Sequence, residues 1–502
     1  MNKTKSTLDR IRELALRRGI ILPTAKIYGS LAGSYDYGPI GSILKRKVVA
    51  LWRDMFTDEN TWEIDGNVVL PRQVFEASGH LEHFTDLMVQ CNNCKSILRA
   101  DEVIEAQVDV NVGETRKERM KELFTEKTIN CPVCGSVFED VELRPFNIMF
   151  NLDVGPTGKG EGFLRPETAQ NMFLNFRYTK MGVKENLPFA ITQTGKAFRN
   201  EISPRQFLYR LREFNQMEVE IFGTPEIFAN HPALDRDLEI TFLPKNGEKA
   251  FRSNLGTLVT EGIFPNEYFA YLVGKAATFY RRLGIPKEDL RFKEIPDEDR
   301  PFYSAINVDV EIHFSIGWKE VEGTAYRTDW DLKRHSEVSG EDLDVLYNGK
   351  RVIPHVVEAS FGVDRSVMAI LEKAFHKKEE DRKWKWLELP PCLSPFSVAV
   401  FPLFDREELI TKAREIFEDL TSNDIDAIYK EKGSIGKRYR FADEVGIPYC
   451  ITVDPTTLEE NSATIRDIKT KRQIRPSCEK FSSILSKLLK GKAIFKDYTE
   501  GE

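Results

Sequence analysis

The chain has 502 residues, 41% hydrophobic, 30% charged and 11% aromatic, with 31 glycines and 24 prolines dispersed along it. That composition excludes disordered, collagen-like and low-complexity classes, and the length predicts about three domains. The formal charge of −7 shows no basic excess, so whole-chain charge alone announces no polyanionic partner.

The first predicted element is an amphipathic helix opened by Ser6 or Thr7 and closed by Gly19, with Leu8, Ile11, Leu14, Ala15 and Arg18 at helical spacing. Asp9 and Glu13 argue against a transit peptide, there is no signal-peptide core, and no apolar run approaches the ~18 residues that cross a bilayer. The expectation is a cytoplasmic protein with no membrane partner. Residues 41–56 come directly after Pro39, a residue suited to a helix start, and put Leu44, Val48, Leu51, Trp52 and Met55 on one face of a long core-facing or interface helix. His80 and His83 in SGHLEHF read as a polar helix face rather than as a ligand pair.

Seven cysteines are too few for a disulfide scaffold. Cys91/Cys94 and Cys131/Cys134 have the C-x-x-C spacing with which two knuckles close a tetrahedral, structural Zn²⁺ site. Free cysteines are the alternative, because the 36 residues between the pairs exceed the commonest ribbon spacing. Residues 95–130 are polar and charged and read as an inserted module. Cys392, Cys450 and Cys478 read as small packing residues.

Next come FLRPETAQ, with Arg165 and Glu167 just before a predicted helix, and the stretch 189–222, read as two strands. Alternation puts Arg199 and Glu201 on one face of the first arm, and Arg210, Arg212, Phe214, Gln216, Glu218 and Glu220 on one face of the second. Such a face is either a solvated outer surface or a substrate platform. In the second case Arg would meet phosphate, Phe a base, and carboxylates an ammonium group or Mg²⁺. Residues 307–318 alternate as one antiparallel strand. GTAYRTDWDLKRH spaces Arg327, Asp329 and Asp331 by two, and PHVVEASFGVDRSVMAIL runs from an apolar strand carrying Glu358 and Ser360 into a helix begun at Arg365. The charge run at 376–386 followed by Pro390 and Pro391 marks a domain boundary, after which strand, helix and strand alternate as in a small α/β domain. There is no Walker-type phosphate loop, no dinucleotide-binding glycine motif, no metalloprotease histidine pair and no internal repeat.

Together these motifs resemble the dimeric glycyl-tRNA synthetases of class II, in the branch with a cysteine-rich insertion. SYDYGPIG with its helix at 34–56 is similar to motif 1, FRNE with REF at 198–214 to motif 2, and EASFGVDR at 358–365 to motif 3; RPETAQ, GSIGKRYR and DEVGIPYC match further signatures. The resemblance implies an α+β fold: an antiparallel catalytic sheet flanked by helices, a zinc-ribbon-like insertion and a C-terminal α/β anticodon-binding domain. The boundaries expected are 1–90 and 141–389 for the catalytic domain, with 223–300 as an inserted helical or acceptor-stem region, 91–140 for the insertion and 390–502 for the anticodon-binding domain. A homodimer through motif 1 is also implied.

Carried onto this sequence, the resemblance puts Arg199 on the α-phosphate of ATP and Arg365 on its terminal phosphates. Phe214 would stack on adenine, with Glu201 and Arg210 beside the nucleotide. Glu167, Glu218, Glu358 and Ser360 surround glycine, with Arg327 a neighbour; Arg199, Glu201 and Arg365 are the implied catalytic set. The implied partners are ATP with Mg²⁺, glycine and tRNA(Gly), and Glu358 is a candidate Mg²⁺ ligand. Asn171 and Ala359 depart from the family, which commonly has Gly and Pro there. The rival readings are a prolyl, threonyl or histidyl sister enzyme and a non-catalytic nucleic-acid-binding or polymerase-accessory relative. Residues 430–440 carry five basic side chains against one acidic and residues 466–480 six against two, so local patches can meet tRNA phosphates inside an acidic chain.

Overall fold

The computed structural model describes residues 5–58, 60–108, 117–156, 160–202, 204, 206–247, 249–378 and 382–498. Its centre is a sheet of nine strands: β1 (Thr61–Glu63), β2 (Phe189–Phe198), β3 (Glu213–Gly223), β4 (Glu239–Leu243), β5 (Phe251–Asn254), β6 (Leu290–Glu294), β7 (Ile306–Phe314), β8 (Gly317–Thr328) and β9 (His355–Gly362). Their spatial order is β5-β4-β6-β7-β8-β9-β3-β2-β1, antiparallel throughout except at the β4/β6 and β1/β2 pairs. The helices that bear on the site are α1 (Thr7–Arg17), α2 (Pro39–Phe56), α3 (Ala169–Val183), α4 (Glu267–Arg282), α5 (Trp330–Ser339) and α6 (Val363–Lys373).

Helix α1 starts as its sequence dictates, Ser6 accepting from the Asp9 amide and Asp9 answering the Ser6 amide in a capping box. Helix α2 begins at Pro39 and buries Leu44, Val48, Leu51, Trp52 and Phe56, with Met55 partly buried against the same core. Trp52, Phe56 and Phe279 of α4 close around Phe361, with Phe56 and Phe279 centroids 4.9 and 5.4 Å from it. This aromatic contact welds α2 and α4 to one face of the sheet. Strand alternation then sends Val357, Ala359 and Phe361 of β9 into the helical core and turns Glu358 and Ser360 to the other face.

Two expectations change. The alternation over 307–318 is a hairpin rather than one strand: Phe314 pairs with Gly317, the chain reverses at Ser315–Ile316, and Gly317 takes φ +93°. A two-residue turn preserves the period-two pattern on both sides, so alternation alone cannot locate it. Segment 223–300 supplies β4, β5 and β6 to the main sheet as well as α4, so it is mixed in structure rather than a helical insertion.

Two further units have their own cores. Strands Thr85–Gln90, Ile97–Arg99 and Arg144–Asn147 form a small sheet with the helices Ala100–Glu105 and Lys117–Glu126, around Val89, Val103, Leu123, Phe124 and Phe138. Toward the C-terminus five strands run in the order Ala427–Tyr429, Val398–Pro402, Tyr449–Val453, Thr464–Asp467, Gln473–Ile474, the first three parallel. The boundary segment is packed rather than loose: Arg382 is buried and the Trp384 indole donates to Asp443 at 3.0 Å. Glu444, fully buried, accepts from Arg17 at 2.6 Å, Arg18 at 2.5 Å and Arg440 at 3.1 Å, tying the end of α1 to the C-terminal unit. Among the described residues no helix is long and apolar enough to cross a membrane.

Candidate active site

A cavity of 710 Å³ lies on the open face of the main sheet. It is lined by Glu167, Arg199, Glu201, Arg210, Phe214, Glu218, Glu358, Ser360 and Arg365, so the sequence motifs far apart in the chain meet around one space. The backbone explains the convergence. Strand β3 lies between β2 and β9, with Glu218 opposite Ser360 and Gln216 opposite Gly362. Asp364, just before Arg365, accepts from the Asn215 amide at 2.6 Å and from Tyr37, which joins three of the sequence motifs by hydrogen bonds.

One end of the cavity is acidic. Glu218 accepts from Thr168 and, at 2.5 Å, from Ser360, yet burial and the Glu358 and Glu167 carboxylates push its pKa up to about 7. Burial raises Glu358 as well, against the pull of Arg327. Glu167 goes the other way: despite burial, His80 and Arg327 hold its carboxyl below the usual range. Arg327 does not line the cavity; it sits behind it, 1% exposed, and donates to Asp331 at 2.7 and 2.8 Å and to Glu358 at 2.6 Å. Tyr303 stacks on its guanidinium at 3.7 Å. Several buried carboxylates around one committed cation suit a small ligand that carries positive charge.

The other end presents arginines and rings. The Arg199 guanidinium lies 5.1 Å from the Phe84 centroid and 5.2 Å from that of Phe214, its Nε donating to the Pro166 carbonyl. Arg365 pairs with Glu320 at 2.8 Å and lies 4.6 Å over Tyr209. Arg199 and Glu201 were expected on the first strand and Arg210 and Arg212 on the second, but β2 ends at Phe198 and β3 begins at Glu213, so all four lie in the connection between them. Arg210 reaches the cavity, pairing with Glu102 and lying 3.6 Å from Glu201, whereas Arg212 turns to the carbonyls of Ala32 and Glu201. The loop allows this because a polar residue outside a ladder is free of strand alternation.

The inserted module reaches the same cavity. Its Arg99, Asp101 and Glu105 line it, and Arg99 binds Asp86 at 2.7 Å and lies 3.9 Å from Glu201. The Sγ atoms of Cys91, Cys94, Cys131 and Cys134 all lie within 4.8 Å of one another, with Cys91–Cys134 and Cys94–Cys131 both at 3.7 Å. Tetrahedral Zn²⁺ with ~2.3 Å bonds needs sulfurs about 3.8 Å apart, so the cluster fits structural zinc. Both knuckles turn alike: the Lys95 and Gly135 amides donate back to Cys91 and Cys131, at φ +59° and +79°. The thiols diverge without a metal: hydrogen bonds from Ser136 lower Cys134 to about 6, while burial pushes Cys131 up to about 11.

Several residues of the site escaped the motif reading. His80 is 3% exposed, with Nδ1 2.8 Å from Ser78 Oγ and Nε2 3.5 Å from Glu167 and its ring against Phe75 and Phe84; the pattern SGHLEHF gave no hint of this, because burial is decided by partners such as Glu167 that are distant in the chain. Gln170 joins Glu167 to Asp331 and His335. Arg165 proves structural, donating to the carbonyls of Lys196 and Gly66 and to Asn171. A Cβ at Gly195 would meet its guanidinium at 2.3 Å, so a larger residue there would displace Arg165 from these bonds. Asn171 bridges Arg165 to the Asn67 carbonyl, and Ala359 keeps β9 paired on both sides, where proline would remove a ladder donor.

Comparison with known proteins accords with this geometry. Residues 155–233 match the tRNA synthetase class II core domain (G, H, P, S and T), and residues 397–488 the anticodon binding domain. The glycine–tRNA ligase of Archaeoglobus fulgidus is 37% identical over 98% of both chains. That of Methanocaldococcus jannaschii is 34% identical over 97% of this chain and 100% of its own, and that of Pyrococcus furiosus 35% over 96% and 99%. These relatives favour the glycyl reading over the prolyl, threonyl, histidyl and non-catalytic ones. With near full-length similarity and a shared two-domain signature, the chain belongs to the glycine–tRNA ligase family of class II aminoacyl-tRNA synthetases.

Proposed function

We propose that the chain activates glycine with ATP and passes it to the 3′ end of tRNA(Gly). The observation that carries this reading is the make-up of the cavity: Glu167, Glu218, Glu358 and Ser360 line the same space as Arg199 and Arg365. Glycine's ammonium sits among the carboxylates, which direct its own carboxylate toward the α-phosphorus. Attack there in line expels pyrophosphate, and a ribose hydroxyl of the tRNA then takes the glycyl group. Arg199 neutralises the α-phosphate and Arg365 the leaving phosphates, Phe214 stacks on adenine, and Glu201 with Arg210 borders the nucleotide. No protein nucleophile is required, so positioning and charge stabilisation supply the rate enhancement. Bound Mg²⁺ would add charge neutralisation on the phosphates; Asp309 and Glu320, which line the cavity with Arg365, would be the carboxylates to hold it. Glycine offers no side chain to grip, so affinity rests on its charged groups and larger amino acids are excluded sterically.

The same reading assigns residues 1–90 and 141–389 to catalysis, 91–140 to a zinc-binding insertion and 390–502 to the anticodon, in a cytoplasmic homodimer joined through the α2 region. ATP–pyrophosphate exchange tests it: glycine stimulates exchange and proline, threonine and histidine do not. Exchange driven by one of those three, or none with any amino acid, would overturn it.

A further inference from the structure

Glu220 follows Glu218 by one pleat of β3 on the same face, opposite Glu358 on β9 and Ile191 on β2. It is 0% exposed, and among the described residues no N–H or hydroxyl donates to either of its oxygens. It lies beneath the cavity, outside its lining, so it does not touch a ligand. The charged groups around it are Glu358, Arg327 and Glu218. Arg327 is committed to Asp331 and Glu358, and Glu218 to Thr168 and Ser360, while the Glu358 carboxyl lies within hydrogen-bonding reach of Glu220.

Two carboxyls in contact in a dry site cannot both be ionised, so a proton lies between them. Its seat follows from the partners. Glu358 has the Arg327 guanidinium at 2.6 Å, which favours its charged form, whereas Glu220 has no cation at hydrogen-bonding distance. Burial and the Glu358 charge together raise Glu220 well above the carboxylate range. A polar group this deep, beside Ile191 and within a strand that continues to buried Phe222, is costly unless hydrogen-bonded.

We propose that Glu220 is a positioning residue: its neutral carboxyl donates to Glu358 and, with Arg327, fixes that carboxylate where it receives the amino acid's ammonium. The proton stays on Glu220 through the reaction. The inference rests on the glycine-activation reading and adds a residue to its binding machinery that acts only through another.

The test is ATP–pyrophosphate exchange with wild type, Glu220→Gln and Glu220→Leu. Gln keeps a neutral donor of the same shape, so its glycine KM stays within about twofold of wild type; Leu removes the donor, and glycine KM rises by about tenfold or more with ATP KM unchanged. A Gln variant with glycine KM raised as far as that of Leu means that a charged Glu220 is needed, and overturns the inference. So does a Leu variant with glycine KM unaltered. Should the Leu variant fail to fold, difference infrared spectroscopy decides: wild type shows a protonated-carboxyl band at neutral pH that Glu220→Gln lacks, and its absence from wild type overturns the inference. Wild-type exchange that ignores glycine would instead overturn the function itself.

Discussion

Glu218 is where a single side chain sets a measurable pH dependence. Its pKa is pushed up to about 7 in the free protein, from 4.5, by burial and by Glu358 and Glu167. An ammonium ligand needs it ionised, so glycine KM falls as pH rises between about pH 6 and pH 8, by up to about tenfold per unit on the acid side. The Ser360 hydrogen bond lowers this pKa, so Ser360→Ala moves the inflection to higher pH; a glycine KM profile that stays flat in both proteins would remove Glu218 from the ammonium site. Stability runs oppositely. With the folded pKa raised, the contribution of protonated Glu218 is fully present below pH 4.5 and is lost as pH rises through about 7. Saturating glycine should recover part of that loss, visible as a pH-dependent ligand shift in Tm. The residue types were legible in the sequence, since Glu167, Glu218, Glu358, Ser360, Arg199 and Arg365 all line the cavity. His80 and Gln170 were not, because a polar residue becomes part of a site through what covers it.

Among the elements, the inserted module couples the cysteine cluster to the part of the cavity that holds Arg210 and Glu201. Cys91 and Cys94 lie between the strands Thr85–Gln90 and Ile97–Arg99, and the helix Ala100–Glu105 starts at once behind them. That helix delivers Glu102 to Arg210, and Arg99 reaches toward Glu201. Cys131→Ser should therefore lower bound zinc and raise ATP KM more than glycine KM, because Arg99 and Glu102 lose their support before the carboxylate pocket does. Metal analysis and the two KM values check this; unchanged zinc content would remove Cys131 from the cluster. The knuckle spacing was readable because ligand geometry demands it, whereas the docking of the insertion on Arg210 depends on a loop conformation that no periodicity encodes.

Across the molecule, the C-terminal unit is held to the rest through buried charge. Glu444 collects Arg17, Arg18 and Arg440, and Asp443 collects Arg466 at 2.9 Å and the Trp384 indole. Glu444→Ala leaves the buried end of this cluster without its acceptor, so calorimetry should resolve a separate, lower transition for the C-terminal unit where wild type shows coupled unfolding. A single unaltered transition would mean that apolar packing alone carries the junction. The same contacts revise the basic patches at 430–440 and 466–480. Arg438 is buried against carbonyls, Arg440 and Arg466 serve the junction, and Arg475 pairs with Asp454. Lys432, Lys437 and Arg472 are exposed cations that remain available to a polyanion.

The amino-acid sequence by itself determined the class of chemistry, the cysteine cluster, the strand-borne carboxylates and the existence of a separate C-terminal α/β unit, because spacing within one element dictates which side chains share a face. It could not show that Arg327 stands behind the pocket rather than in it, that segment 223–300 extends the main sheet, or that four of the eleven basic side chains in the two C-terminal patches are already committed within the fold. Those are facts about neighbours distant in the chain. Only the register of β3 against β9 and the docking of α1 on the C-terminal unit decide whether a charged side chain meets a ligand, a counter-ion or water.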